Sequence, residues 1–173
     1  MVYINQIQKD FKSRILHSED DVKIYAYSDI FSPIQKIYAP HTTFQSERTF
    51  VKGGRADGTI ANLVIEYKKN KYFQTSKGIQ EALTGRVQNK KDSGLYQYIL
   101  NSIEGDEIDD SILDTFGVGF DGNEWIFARF AKVPDNKIID VSRTRFSEIY
   151  NSKEINRPYE FKYKKFNFQD GIE

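Results

Sequence analysis

Cysteine is missing from this 173-residue chain, histidine occurs twice, and methionine and tryptophan once each. The lack of thiols excludes disulfides, thiolate zinc sites and a cysteine nucleophile. His17 and His41 are far apart, neither with a second histidine nearby, so both read as surface or capping residues. No apolar run approaches the ~18 residues of a spanning helix, so no membrane segment is expected. Met1 to Gln6 has neither a basic flank nor an apolar stretch; no signal peptide and a cytoplasmic location are expected. Net charge is lacking too, since 25 Lys and Arg balance 25 Asp and Glu. Aromatics, by contrast, are plentiful: 13 Phe and 11 Tyr provide core material and exclude a disordered tail. Domains run to about 100–200 residues. We therefore expect one domain over 1–153, with 154–173 either a C-terminal strand or a connector to a further domain.

The zero net charge hides a division along the chain. From Arg48 to Lys91, ten basic residues stand against three acids, a net of +7. From Glu104 to Glu124 there are eight acids and no Lys or Arg, a net of −8. A polyanion feels the local field rather than the sum, so a nucleic-acid partner is not excluded. Two solvated faces of opposite sign account for the pattern equally well.

Ile4, Ile7, Phe11 and Ile15 recur at helical spacing over 3–16. Ser18-Glu19-Asp20-Asp21 has the form of a capping box opening a second helix to about Phe31. Ser32-Pro33 suits a fresh N-terminus for a third piece ending near Pro40. Residues 54–60 and 63–69 alternate as two antiparallel strands about a turn at Ala61-Asn62. Ser76 suits a cap for a helix over 77–90, and Leu95, Ile99 and Ile103 mark another over 94–103. A short turn near 112–116 precedes a hairpin about Asp121-Gly122-Asn123. A helix over 143–151 and a half-exposed strand from Tyr159 complete the order, which points to an α/β (α+β) domain with a mixed sheet flanked by helices.

Chemistry concentrates between Gly54 and Lys68. Glu66 and Lys68 are two apart on one strand and so share a face, and the hairpin brings Asp57 alongside them. Two carboxylates and a lysine on one face suit an oxygen-coordinated Mg²⁺ and hydrolysis of a phosphodiester. The lysine would orient or help deprotonate water and neutralise developing charge. Glu-x-Lys on a strand face is also a common surface ion pair. The preceding Leu63-Val64-Ile65 reads as buried, and burying charge without purpose is costly.

These residues resemble the PD-(D/E)XK nuclease superfamily, with Asp57 as the second-motif aspartate and Ile65-Glu66-Tyr67-Lys68 as the third motif. Ala56 stands where the family often has proline. The family also carries an upstream helix glutamate, here Glu47, which serves equally as a solvated partner of Arg48. A downstream helix glutamine matches Gln97, with Gln80 and Gln88 as competitors and a plain solvent-facing role as the alternative. Gly117 to Phe130 resembles the strand-turn-strand after the nuclease motifs in single-chain (type IIG-like) restriction–modification enzymes, in which a nuclease precedes an adenine methyltransferase. That likeness covers about 44–150; no Asn-Pro-Pro-Tyr motif or glycine-rich cofactor loop occurs.

The resemblance implies a restriction-endonuclease-like core and a Mg²⁺-dependent endonuclease, with Mn²⁺ as a substitute metal, leaving a 5′-phosphate and a 3′-hydroxyl. Asp57, Glu66 and the Tyr67 carbonyl would hold the metal, and Lys68, Glu47 and Gln97 would complete the catalytic set. Lys69, Lys71, Lys77, Arg86, Lys90 and Lys91 would grip DNA. Implied partners are double-stranded DNA, a methyltransferase or target-recognition domain or chain, and a transient homodimer for double-strand cutting. The alternative is a catalytically silent nuclease-fold module that binds DNA or protein.

Overall fold

The computed structural model describes residues 2–51, 53–85, 94–102, 110–132 and 159–172. Ile7 and Phe11 lie one turn apart on helix α1 (Val2–Lys12), and both enter the core. The helix is shorter than the expected 3–16. Beyond Lys12 the Ser13 hydroxyl donates to the Asp10 carbonyl and the Arg14 N–H to that of Phe11. Ile15 consequently falls off the apolar face and is 70% exposed.

Helix α2 (Glu19–Ala26) opens with the expected box. The Asp21 N–H donates to the Ser18 hydroxyl, and the Ser18 N–H to the Asp21 carboxylate. Ser18→Ala should cost about 1 kcal/mol, read as a lower urea midpoint at unchanged m-value. Ser32-Pro33, however, starts no fresh helix. Phe31 and Ser32 are both helical, no side chain caps the junction, and the chain runs through one π turn (Tyr27–Phe31) into α3 (Ser32–Tyr38). The Ser32 N–H donates back five residues to the Tyr27 carbonyl. Such a wide turn accommodates Pro33, which has no N–H and whose ring crowds the carbonyl four residues earlier.

Six strands follow: β1 (Phe44–Thr49), β2 (Arg55–Ile60), β3 (Leu63–Tyr67), β4 (Phe116–Phe120), β5 (Glu124–Lys132) and β6 (Tyr159–Asn167). They form one sheet in chain order, antiparallel throughout except between β3 and β4. The parallel pair requires a long crossover. This carries α4 (Ser76–Thr84) and α5 (Leu95–Ser102). Thr75 rather than Ser76 caps α4, its hydroxyl accepting the Gly78 N–H at 3.0 Å. Leu95 and Ile99 are buried on α5 as their spacing predicts. Helix α4 ends at Thr84, short of the expected residue 90, because Gly85 caps it with a φ of 76° and donates its N–H to the Glu81 carbonyl. Ile103 and the helix expected over 143–151 lie outside the described residues.

Period-two alternation divides the core between the two sheet faces. Ile65, Tyr67, Val118, Phe120 and Trp125 pack with α1, α2 and α3, joined by Phe168 of α6 (Phe168–Ile172). Ile126, Ala128, Phe130 and Phe161 pack with α4 and α5. β6 pairs with β5 at nine positions, so residues 159–167 are an integral strand. The domain is thus mixed α/β, a six-stranded mixed sheet with helices on both faces. Among the described residues no helix is long and apolar enough to cross a membrane.

Candidate active site

A cleft opens where β2 and β3 part. Their pairing covers Ile60–Leu63 to Gly58–Ile65. At the next position Asp57 turns its carboxylate inward, and Oδ2 accepts the Tyr67 N–H at 2.7 Å. A side-chain oxygen thereby takes the role a ladder carbonyl would have had. The Lys68 N–H is already directed to β4, donating to the Phe120 carbonyl at 3.0 Å. Glu66 and Lys68 share a face as expected: the Lys68 ammonium pairs with the Glu66 carboxylate and donates to the Tyr67 carbonyl at 3.0 Å. The three sequence-derived residues come together in a cleft of about 330 Å³.

Its other walls include Glu19 at the start of α2, Glu47 on β1, Arg55 on β2, Glu81 on α4 and Tyr98 on α5. Five carboxylates therefore face two cations, Arg55 and Lys68. Glu66 is only 7% exposed. Burial pushes its carboxyl up to about 8, Lys68 opposing and Asp57 and Glu19 reinforcing the shift. Burial pulls Lys68 down, yet the Glu66 charge and hydrogen bond outweigh it and leave the ammonium above its ordinary value. Lys68 therefore stays charged at neutral pH.

Glu66 has a folded value above its ordinary 4.5, so its ionisation opposes folding. Its contribution is fully present below that ordinary value and is lost as pH rises through about 8. Melting temperatures in chelator should fall between pH 5 and pH 8.5, and Glu66→Gln should flatten that slope. Calorimetric melts across the range check both.

Two sequence expectations change. Glu47 is not on a helix; it lies on edge strand β1, with a left-handed φ of 59°. It pairs with Lys23 at 3.0 Å and with Arg55, and these cations hold its carboxyl below the usual range. An edge strand exposed at all but Phe44 leaves no apolar alternation, which is why its sequence concealed it. Gln97 turns to Asn101, donating at 2.8 Å, and the α5 side chain at the cleft is Tyr98. Lys69, Lys71 and Lys77 are exposed on the segment after β3 and the first turn of α4; Arg86, Lys90 and Lys91 lie outside the described residues.

Among the described residues no three His, Asp or Glu side chains group as ligands for one ion. The oxygens that could share one are those of Asp57, Glu66 and the Tyr67 carbonyl. Oδ1 of Asp57 takes no hydrogen bond among the described residues. Hard oxygen donors with water completing an octahedron suit Mg²⁺, and the carboxylate excess favours a cation, so the donor set fits. The chain matches no family model, no curated protein and no solved structure.

Sequence reasoning missed Glu19, whose charge acts on both Glu66 and Lys68. Its place in the capping box marks it as a helix-start acid and nothing more. Only the packing of α2 against β3 brings it to the cleft.

Proposed function

We propose that this chain is a Mg²⁺-dependent endonuclease domain that hydrolyses DNA phosphodiesters on a restriction-endonuclease-like core. The observation that carries the reading is the convergence of Asp57, Glu66 and Lys68 where β2 and β3 separate, inside a carboxylate-rich cleft. Asp57, Glu66 and the Tyr67 carbonyl would hold the metal. A bound Mg²⁺ supplies polarisation of the phosphate and acidifies water. Lys68, kept charged by Glu66, donates hydrogen bonds to the reacting groups and neutralises charge instead of accepting a proton. Glu19, at the start of a helix, lines the cleft together with Glu47 and would serve as the helix glutamate of the catalytic set. The exposed Lys69, Lys71 and Lys77 lie on the chain just beyond Lys68, where they would meet the backbone of double-stranded DNA. A recognition domain or chain would supply sequence choice, a transient homodimer the second cut, and Mn²⁺ a substitute metal.

A second reading, a silent nuclease-fold module, draws on the short donor set: two carboxylates, one of them already paired with lysine. Plasmid nicking separates the two. Supercoiled DNA nicked with Mg²⁺ or Mn²⁺ by the wild type but not by Asp57→Asn or Lys68→Ala supports the enzyme. Intact plasmid at high protein concentration, alone and tethered to a DNA-binding partner, supports the silent module.

A further inference from the structure

The cationic, aromatic stretch from Tyr159 to Phe168 takes no part in the cleft. Tyr159 and Phe161 of β6 enter the core on the α4–α5 side. By alternation Lys162, Lys164 and Phe166 share the opposite face, the one that α1, α2 and α3 cover elsewhere. Register sets Lys162 beside Arg129 and Arg129 beside Phe116; in the next row Lys164 lies beside Phe127. Among the described residues the helices stop short of these rows. Phe116 is 43% and Phe127 37% exposed, and Arg129, Lys162 and Lys164 are exposed with them. The nearest acid on this face of β6 is Glu160, which pairs with Lys162. Phe127 also borders an apolar hollow of about 220 Å³ that it shares with Leu63, Trp125 and Tyr38.

We propose that this open sheet face binds single-stranded nucleic acid, with phosphates on Arg129, Lys162 and Lys164 and bases on Phe116 and Phe127. Neighbouring strands and alternate residues set the cations about 5–7 Å apart along the backbone, close enough to track one chain. Exposed rings between cations offer stacking to any base, whereas a duplex keeps its base faces covered. A protein partner is disfavoured, because lysines are depleted at the centre of protein interfaces. The face is independent of the cleft. The row from Leu63 to Phe116 lies four residues, roughly 13 Å, along the strands from that of Tyr67 and Phe120, and Glu66 points the other way.

Fluorescence anisotropy of the full chain in EDTA tests the proposal, using labelled mixed-sequence single strands of about 20 nucleotides, as DNA and as RNA, and the matching duplex. Single strands should bind more tightly than duplex, and the two arms show which sugar is taken. Lys162→Ala with Lys164→Ala should weaken binding about tenfold and lower the log–log salt slope by about 1.4. Phe127→Ala should weaken it about fivefold or more at unchanged slope, and Phe127→Tyr, which keeps the ring, should not. Because EDTA removes any metal-dependent nicking, binding is read without the cleft's chemistry, and a failed nuclease reading and a failed strand-binding reading remain distinct. The proposal is overturned by preference for duplex, by lysine and phenylalanine variants that bind as wild type, or by sedimentation showing that Phe127→Ala dissolves a dimer.

Discussion

Asp57→Asn is expected to abolish metal-dependent nicking, by at least about a thousandfold, while leaving the melting temperature close to that of the wild type. The reason is that Asp57 has two separable tasks. Its Oδ2 accepts the Tyr67 N–H at 2.7 Å, which the asparagine carbonyl can also do. Its charge is what would help hold a cation, and the amide lacks it. Asp57→Ala removes both and leaves the Tyr67 N–H without its partner, costing roughly 1–3 kcal/mol in addition. Single-turnover nicking and thermal melts on the two variants separate the tasks. A melting temperature lost equally in both variants, or nicking retained in Asp57→Asn, would sink this assignment.

Asp121 gives the opposite outcome. It is fully buried, and its carboxylate accepts three backbone N–H groups: Phe73 at 2.8 Å, Asn123 at 2.9 Å and Glu124 at 2.7 Å. Two of these close the β4–β5 turn, and the third ties it to the segment that follows Lys68 and leads into α4. Asp121→Ala leaves those donors unsatisfied, an expected loss of roughly 4 kcal/mol, a large share of the stability of a domain this size. Asp121→Asn keeps one acceptor oxygen for the turn but sets an amide against the Phe73 N–H, and should lose about half as much. Urea titration checks the ranking. Below its melting temperature Asp121→Asn should nick at nearly the wild-type rate, which marks this aspartate as structural and Asp57 as chemical.

The hairpin of β2 and β3 was legible because Ala61-Asn62 interrupts two alternating runs, and that hairpin alone brings Asp57 to Glu66 and Lys68. The β4–β5 hairpin was legible for the same reason, its Asp-Gly turn realised with Gly122 at a φ of +81°. Helix ends were less so. Thr75 in place of Ser76 as the cap of α4, and the π turn in place of a break at Ser32-Pro33, depend on which N–H groups find acceptors once the chain has packed.

Local sequence by itself determined the fold class and the trio of Asp57, Glu66 and Lys68, because alternation and turn chemistry act over a few residues. Tertiary structure alone decided the rest of the cleft. Glu47, read as a helix residue, became an exposed edge-strand partner of Lys23 and Arg55. Glu19, read as a capping acid, arrived beside Glu66 and Lys68 from 47 residues before Glu66. Burial, which only long-range packing can create, then pushed Glu66 up towards its protonated form and set the Lys68 ammonium against it.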